Sequence, residues 1–446
     1  MAKFTGFDRR AFLKGASMTA LAGAVASGNT ASAAAGGGAK TVGGNFDFDE
    51  VYNRVGSNCF KYDGQIAKFG EEYFQIGMGV ADMDFRVAPC VTEALKKRAE
   101  HENWGYLADT DGLKEAIVEW NESRYGVSID PDTITMASGV HNALISSLNA
   151  ISPPGSKTIM NTPTYNGFYT DLRLSRTLVN DNEMWVDDDG VYHIDWDDFE
   201  TRLTTDCHAF LLCNPQNPTG NCWSEEDLLR MGELCLKNNV VVLADEIHCD
   251  FVMEGQKYIP FASLPDKDIV DNSLTYKSAS KTFSIAGLKH AYFYSTNPIL
   301  LERVRWLHRA DLNTMGVFAT EAALRDGAEW FDQVLAYIEE NHNFVESYAK
   351  NIPGVKYKKA QGTYLAWLDV SEPIKGMDCG KMAEKEELAS AEHYLEKWFV
   401  ENARVQLNPG SNYGTGGADH MRMNLGIPRA KIKEAMDNMA SALKNA

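Results

Sequence analysis

Residues 208–245, HAFLLCNPQNPTGNCWSEEDLLRMGELCLKNNVVVLAD, contain the pattern from which the fold class is predicted. It contains two short apolar runs, 208–213 and 240–244, separated by a segment with helical periodicity at 224–239. Ser224 is placed to cap that helix at its start, and a pair of asparagines ends it. Two apolar strands joined by a helix predict a β-α-β unit, whose right-handed crossover makes the two strands parallel. We therefore predict an α/β fold with a mainly parallel sheet between layers of helices.

Polar or aromatic residues follow each strand predicted in the middle of the chain. Because parallel strands end at the same edge of a sheet, the loops after them open on one crevice, where ligands of such sheets bind. We expect five sets of residues to converge there. They are Ser138, Gly139 and Val140 after 133–137, Tyr165 after 157–160, Asn217 after 210–213, Asp245, Glu246, Ile247 and His248 after 240–244, and Lys277, Ser278, Ser280 and Lys281 after 272–276.

Asp245 and Lys281 indicate which kind of ligand could bind in this crevice. A carboxylate buried at a strand end costs on the order of several kcal/mol unless a cation meets it, and a buried lysine has the matching problem. One solution is a direct salt bridge between the two side chains. The other is a ligand that offers a cationic nitrogen to Asp245, a carbonyl to Lys281 and a phosphate to the helix start at Ser138 and Gly139. Pyridoxal 5′-phosphate (PLP) carries these three groups, and its aldehyde forms a Schiff base with lysine.

Blocks of sequence along the chain resemble one family in their order and content. They are YNRVGSNCFKYDG (52–64), VADMDF (80–85), WGYLADTDGLKEAI (104–117), LLCNPQNPTG (211–220), ADEIHCDFV (244–252), KSASKTFSIAGLK (277–289), TYLAWLD (363–369) and MRMNLGIPR (421–429). The chain resembles fold type I PLP-dependent enzymes of the class I and II aminotransferase superfamily. Within it, the resemblance points to the branch of cystathionine β-lyases and cystalysin-type C–S lyases.

The resemblance implies two structural domains behind a leader. The larger domain contains the mainly parallel sheet and binds PLP, and the smaller one is of the α+β type. We expect a signal peptide and linker at 1–38, an N-terminal segment of the small domain at 39–85, the large domain at 86–325 and the rest of the small domain at 326–446.

The resemblance also implies roles for the crevice residues. Lys281 would hold PLP and then move protons as general base and acid, while Asp245 would pair with the ring nitrogen. Asn217 would bond the phenolic oxygen of the ring, and Tyr165 would stack on its face. The phosphate would be bound by Ser138 or Gly139, Val140, Ser278, Ser280, Lys289 and, from a neighbouring subunit, Tyr106. This last residue implies a homodimer with shared active sites.

Substrate binding is implied for Arg422, Ala81 and Asn217. In HMRMNL, 420–425, alternate residues share a face, so Arg422 lies among polar residues and opposite the apolar ones. An arginine in this position would hold the α-carboxylate of a small amino-acid substrate in a bidentate fork.

Three residues depart from the pattern of that branch, so the resemblance does not identify the substrate. Cys59 stands in place of its usual serine, Tyr62 in place of tryptophan and Gln216 in place of histidine. The resemblance implies a C–S β-lyase that cleaves cystathionine or cysteine S-conjugates to thiol, pyruvate and ammonia. The same residues would serve an aminotransferase acting on an amino acid and a 2-oxo acid. A third interpretation is a binding protein on a retired enzyme scaffold.

The composition limits the classes of binding partner that are expected. Lys and Arg number 43 and Asp and Glu 62, so the net charge is −19, which disfavours binding to nucleic acid or anionic lipid. The region after the leader lacks an apolar run near the roughly 18 residues that a membrane span needs, so no stable membrane association is expected.

The first 38 residues differ in character from the rest. Arg9 and Arg10, in the order R-R-x-F-L-K, precede a weakly apolar stretch at 16–26 and a small-residue A-x-A site at 31–33. This pattern resembles a twin-arginine export signal and predicts a periplasmic or otherwise exported protein. A disordered Ala/Gly tail on a cytoplasmic protein is the alternative.

Other motifs predict structure rather than chemistry. DEIHCD at 245–250 lacks the H-E-x-x-H spacing, so no metal site is expected. The eight scattered cysteines form no C-x-x-C pair and are interpreted as buried small hydrophobes rather than disulfides. For Asp82 and Asp84 a structural turn is preferred over a carboxylate pair for acid–base work. The glycine-rich GSNYGTGGADH, 410–420, predicts a loop before Arg422 rather than a dinucleotide site.

Overall fold

The structure is a computed structural model and describes residues 46–107, 110–187 and 189–446. The predicted signal peptide at 1–38 lies outside the described residues, so export stays a prediction. The described residues all belong to one compact unit. Among these residues, no helix combines the length and the hydrophobicity that a membrane span requires.

Strands and helices alternate through the first two thirds of the described chain. The strands are β1 Ile76–Gly77, β2 Thr135–Ala137, β3 Lys157–Thr162, β4 Leu178–Glu183, β5 Trp185–Val186, β6 Tyr192–His193, β7 Cys207–Cys213, β8 Val241–Asp245, β9 Ser273–Lys277, β10 Ala291–Tyr294, β11 Lys356–Tyr357, β12 Leu365–Asp369, β13 Val405–Gln406, β14 Asn408–Pro409 and β15 His420–Asn424. The α-helices are α1 Asp63–Phe69, α2 Pro89–Ala99, α3 Asp111–Tyr125, α4 Val140–Ile151, α5 Gly167–Ser175, α6 Trp196–Arg202, α7 Glu225–Lys237, α8 Lys267–Asp271, α9 Ala279–Thr282, α10 Pro298–Arg305, α11 Thr314–Asp326, α12 Ala328–Ala349, α13 Ser371–Gly376, α14 Cys379–Lys385, α15 Ala391–Ala403 and α16 Arg429–Lys444.

The main sheet of the described chain has seven strands in the order β2-β10-β9-β8-β7-β3-β4. β10 runs antiparallel to both of its neighbours, and the other adjacent pairs are parallel. The strands β2, β3, β7, β8 and β9 therefore run in the same direction, which confirms the predicted α/β fold with a mainly parallel sheet. Their C-terminal ends share one edge of the sheet, where a crevice forms.

The unit at 208–245 folds as its sequence predicts. β7 and β8 pair in parallel, with Leu212 beside Ala244, and α7 connects them. Ser224 precedes α7, and its hydroxyl oxygen accepts a hydrogen bond from the backbone N–H of Asp227 at 3.1 Å. This bond satisfies one of the four free N–H groups at the start of the helix, which fixes where α7 begins.

Side chains on β8 alternate between two apolar layers, one on each face of the sheet. Leu243 packs in the layer that contains α4 and α5, whereas Val242 and Ala244 pack in the layer that contains α6 and α7. Both faces are covered, which explains the continuous apolar run at 240–244. Asp245 comes two residues after Leu243, so its side chain emerges on the α4 side of the sheet edge.

A second sheet in the described chain has four antiparallel strands in the order β11-β12-β15-β14. Its apolar core joins Ile76 to residues from 345–440. On β15, Met421 and Met423 are fully buried in this core, so Arg422 points to the opposite face, in agreement with the alternation in the sequence. The predicted domain boundaries themselves stay predictions.

All eight cysteines are free thiols. Cys59, Cys90 and Cys222 are only half-buried, so the prediction of buried small hydrophobes is wrong for these three. The five buried thiols are Cys207, Cys213, Cys235, Cys249 and Cys379. In the described part of the chain, no group of three or more His, Cys, Asp or Glu side chains is arranged to hold a metal ion.

Candidate active site

A cavity of about 210 Å³ opens at the ends of β7, β8 and β9. It brings together most of the residues that the sequence places at this edge, with the exceptions of Ser138, Glu246 and Lys277. The other predicted site residues Tyr106, Ala81 and Arg422 are not part of its lining either. The lining residues are Gly139, Val140, His141, Tyr165, Cys213, Asn217, Asp245, Ile247, His248, Ser278, Ser280, Lys281, Ala286, Lys289 and His290.

Lys281 lies in α9, directly after β9 leaves the sheet. Its Nζ donates a hydrogen bond to the carbonyl oxygen of Ala81 at 2.8 Å. Burial, with the charge of Arg422 adding to it, lowers the pKa of this amine from 10.5 to about 8. In the described chain Lys281 forms no ion pair with Asp245 within 4.0 Å, so the direct salt bridge left open by the sequence does not form. The neutral, nucleophilic amine is well populated at mildly alkaline pH.

Asp245 is 4% exposed at the end of β8. Its Oδ1 accepts a hydrogen bond from the backbone N–H of Ile247 at 3.1 Å. Burial raises the pKa of this carboxyl to about 7. A buried acid in the wall of a cavity, with no ion-pair partner within 4.0 Å among the described residues, fits the ring nitrogen of PLP, whose positive charge would restore the carboxylate form.

The start of α4 forms another wall of the cavity. Gly139 precedes α4 with φ 153° and ψ 155°, a conformation that is essentially restricted to glycine. The first N–H groups of this 12-residue helix, together with the positive end of its dipole, suit a phosphate. Ser278, which accepts a hydrogen bond from the backbone N–H of Ser280 at 3.0 Å, and Lys289 line the same cavity. These groups fit the phosphate of PLP.

Two predicted phosphate ligands lie outside the cavity lining. The hydroxyl of Ser138 accepts a hydrogen bond from Nδ2 of Asn142 at 2.6 Å. Tyr106 is fully exposed, so it contributes nothing to the cavity of its own chain. The roles predicted for both residues stay predictions.

Arg422 lies beside the cavity on β15 and is 2% exposed. Its Nη1 donates to Oδ1 of Asn217 at 3.0 Å, and its Nη2 donates to the carbonyl oxygen of Gly79 at 2.7 Å. Its Nε is buried and has no hydrogen-bond partner among the described residues. Buried donors are normally satisfied, so a free guanidinium N–H next to a cavity residue fits an incoming carboxylate.

The backbone of the segment 79–84 connects Lys281 to Arg422. The carbonyl oxygen of Ala81 accepts the hydrogen bond from Lys281. The carbonyl oxygen of Gly79 accepts one from Arg422. Sequence reasoning missed these contacts because a main-chain carbonyl leaves no signal in the residue types.

Asp84 anchors this segment. Its carboxylate accepts hydrogen bonds from Nη1 of Arg54 at 2.7 Å, Nζ of Lys61 at 3.0 Å and the hydroxyl of Tyr62 at 2.6 Å. Lys61 is fully buried, and Asp84, at 3.0 Å, is a nearer anion for its ammonium group than Asp82, at 3.8 Å. Arg54 also pairs with Asp82 at 2.9 Å. Asp82 and Asp84 are both engaged in ion pairs that hold the block 52–64 to the segment 79–84. This supports a structural turn rather than a catalytic carboxylate pair.

Asp84→Ala is expected to lower the free energy of unfolding by about 3 to 5 kcal/mol, because it leaves the ammonium of Lys61 buried without its main anion. Urea unfolding followed by tryptophan fluorescence measures the change. Asp378→Ala is the matched control, since Asp378 pairs with Lys381 where both side chains are at least 67% exposed and such pairs contribute under about 1 kcal/mol. Equal losses in the two variants would contradict the anchoring role.

Two of the residues collected from strand ends point away from the cavity. Glu246 and Lys277 form a buried ion pair at 3.7 Å, and Lys277 also donates to Oδ1 of Asn121 at 2.9 Å. Side chains alternate along a strand, so the residue after Asp245 faces the opposite side of the sheet. The expectation that every polar residue of the five sets converges on the crevice is wrong for these two.

Histidines in the lining received no role from the sequence. Burial lowers the pKa of His290 to about 4 and the pKa of His248 well below its usual value, so both rings are neutral at pH 7. His141 differs, because a hydrogen bond from its ring to Asp171 raises its pKa. A single histidine carries no periodic signal. The sequence placed His248 at the crevice by its position shortly after β8, without giving it a role.

The arrangement of sheet and site defines a class of protein. Helices cover both faces of a mainly parallel sheet, Lys281 follows β9 and the buried Asp245 ends β8. This combination is the arrangement of a fold type I PLP-dependent enzyme. The chain belongs to the family of class I and II aminotransferases, whose model matches residues 74–439. The family predicted from the sequence blocks is thereby confirmed.

Curated relatives match the chain over almost their whole length. It is 37% identical over 405 residues to cystathionine beta-lyase PatB of Bacillus subtilis, an alignment that covers 89% of this chain and 100% of that protein. It is 30% identical to protein MalY of Escherichia coli, with 90% of this chain and 99% of that protein covered.

Solved structures show the same fold. Cystalysin from Treponema denticola, which contains PLP, superposes with a TM-score of 0.81 at 27% identity and covers 90% of this chain and 100% of its own. The PLP-bound C–S lyase from Staphylococcus hominis has a TM-score of 0.79 at 30% identity, with 90% and 98% covered. The predicted fold class is confirmed by these structures.

Proposed function

We propose that the protein is a PLP-dependent C–S β-lyase that cleaves cystathionine or cysteine S-conjugates to thiol, pyruvate and ammonia. One observation carries the proposal. In a chain that matches a cystathionine beta-lyase over that relative's entire length, the described residues Lys281, Asp245 and Arg422 converge on one edge of the sheet.

Bound PLP supplies an electron sink that allows bonds at the substrate α-carbon to break. Lys281 is the group that takes the α-proton, since its pKa is lowered to about 8 and its amine is therefore a base that works near neutral pH. While Lys281 is a free amine, the hydrogen bond from its Nζ to the carbonyl oxygen of Ala81 holds it in place. The buried carboxyl of Asp245 would hold the ring nitrogen protonated, which keeps the sink effective.

Arg422 would bind and orient the substrate. Its two Nη atoms are held by Asn217 and Gly79, so the fork is preorganised and its unpartnered Nε remains for the α-carboxylate. A fixed carboxylate restricts how the α-carbon can turn relative to the amine of Lys281. The leaving group at the β-carbon then determines whether a thiol is released.

The test is a product assay on the purified, PLP-loaded protein. Cystathionine and S-alkylcysteines are supplied separately, and free thiol, pyruvate and ammonia are measured in equal amounts if the proposal holds. Amino transfer to a 2-oxo acid without thiol or pyruvate would show an aminotransferase instead. Binding of these amino acids without any turnover would indicate a binding protein built on the fold of a former enzyme.

Arg422→Met is expected to raise KM for the amino-acid substrate by at least about 30-fold, the equivalent of the roughly 2 kcal/mol or more lost when one partner of a buried charge pair is truncated. Steady-state kinetics of thiol release measures it. Arg86→Met is the control, because Arg86 pairs with Glu50 in a largely exposed position and should leave KM unchanged. An unchanged KM in Arg422→Met would remove Arg422 from substrate binding.

We also propose a homodimer in which Tyr106 of each chain reaches the phosphate site of the other. The support is its full exposure on the single chain, in a block that resembles the family. Light scattering after size-exclusion chromatography should give twice the chain mass. Tyr106→Phe should then weaken PLP binding, and a monomer with full PLP affinity would refute the arrangement.

Export through the twin-arginine pathway is a further proposal, supported by Arg9, Arg10 and the A-x-A site at 31–33. Cell fractionation of the tagged full chain should place it outside the cytoplasm. The double variant Arg9→Lys, Arg10→Lys should keep it inside. If both forms stay in the cytoplasm, the alternative of a cytoplasmic protein holds.

A further inference from the structure

A histidine and an aspartate form a dyad in the wall of the cavity that the reaction described above does not use. His141 lies in the first turn of α4 and Asp171 in α5, with Nδ1 of the histidine 2.7 Å from Oδ2 of the aspartate. The side chain of Asp171 is 2% exposed, whereas that of His141 is 48% exposed and lines the cavity. A carboxylate this buried requires a cation, and His141 supplies it when protonated.

The other nitrogen of the ring contacts Tyr165. Nε2 of His141 lies 3.3 Å from the Tyr165 hydroxyl, and the two ring centroids are 5.6 Å apart. Gly167 allows this approach, because a Cβ at that position would lie 2.5 Å from a carbon atom of each ring. Asp171, His141 and Tyr165 therefore form a hydrogen-bonded chain that begins in the protein interior and ends in the cavity wall.

The protonation state of His141 sets the direction of its hydrogen bond with Tyr165. With Nδ1–H donating to Asp171, a neutral ring has its lone pair at Nε2 and accepts the phenolic proton. A protonated ring donates from Nε2 to the phenolic oxygen, which leaves the Tyr165 O–H free to donate into the cavity. The two states therefore differ in whether a bound substrate meets a hydrogen-bond donor at Tyr165.

We propose that His141 and Asp171 are positioning residues that turn the Tyr165 hydroxyl toward the substrate while His141 is protonated. The proposal rests on the proposed function only for the identity of the reaction in which Tyr165 takes part. The groups that face His141 are Asp171 from α5, Tyr165 from the loop after β3, Asp245 at the end of β8 and Lys281 after β9.

The sign of the pH dependence follows from the charges. The hydrogen bond to Asp171 raises the pKa of His141, so the protonated ring persists up to that raised value. Turnover is expected to fall on the alkaline side as the pH rises through it. Burial raises the pKa of Asp171 as well, and the hydrogen bond from His141 opposes that rise.

Kinetics on PLP-loaded enzyme test the coupling to Tyr165. Asp171→Asn removes the charge that favours the imidazolium, so the alkaline limb of the kcat profile should move down by about 1 to 3 pH units. His141→Gln should remove that limb. Asp187→Asn is the matched control, because Asp187 pairs with His193 at 2.8 Å outside the cavity lining, and its profile should equal that of the parent enzyme.

Histidine-selective NMR tests the dyad independently of the reaction. The His141 signal, assigned by its loss in His141→Gln, should titrate above 6.5 in the parent protein and lower in Asp171→Asn. An unshifted signal overturns the dyad, and a shifted signal with an unmoved kcat limb overturns the coupling to Tyr165. If the parent enzyme cleaves no C–S bond, the proposed function fails, while the NMR titration and the kcat profile of its actual reaction still decide this proposal.

Discussion

Lys281→Ala is expected to lower turnover by at least about 10⁴-fold, the upper range for loss of a general acid–base group, because it also removes the covalent attachment point of PLP. The amine of Lys281, which lies in α9 just after β9, has its pKa lowered to about 8 by burial. Among the described residues that line the cavity, the other lysine is Lys289, which lies in the part of the cavity that fits the phosphate. Thiol release from a cysteine S-conjugate measures the loss.

A covalent label gives a second readout of the same residue. Borohydride reduction of the PLP-loaded parent protein, followed by peptide mass spectrometry, should place the pyridoxyl group on Lys281. Lys267→Ala is the control, since Lys267 is 77% exposed and pairs with Asp271 on the surface, and it should keep both label and activity. A label on another lysine, or activity retained in Lys281→Ala, would remove the basis of the proposed function.

Asp245→Asn is expected to lower turnover by about 10²- to 10³-fold, the range for removing one preorganised electrostatic group. The amide keeps the shape of the side chain and its hydrogen bond from the N–H of Ile247, but it cannot carry the negative charge that a protonated ring nitrogen needs. The variant should still bind PLP through Lys281. Loss of kcat with retained cofactor is therefore the expected pattern.

The absorbance of bound cofactor and the kcat of thiol release measure the two parts of this expectation. Asp206→Asn is the control, because Asp206 pairs with Lys157 in an exposed position and should change neither quantity. A variant with parental kcat would show that the charge at Asp245 is not needed. A variant that loses PLP altogether would assign Asp245 to cofactor retention rather than to the reaction.

The amino-acid sequence alone was enough to predict the mainly parallel sheet and the edge of it that holds the site. The apolar runs and the helical stripe between them are local patterns, each set by neighbours within a few residues. Once the crossover makes β7 and β8 parallel, the edge at which Asp245 and Asn217 emerge follows from topology alone. The alternation around Arg422 likewise decided which face of β15 it occupies.

Which of these side chains contact each other could be read only from the folded chain. The contacts of Lys281 with Ala81 and of Arg422 with Asn217 join residues 200 and 205 positions apart. The dyad of His141 and Asp171 depends on how α4 packs on α5. Periodicity reports the direction of a side chain from its own backbone. The partner it meets, the water it loses and the resulting pKa depend on distant segments brought together by packing, which no local pattern encodes.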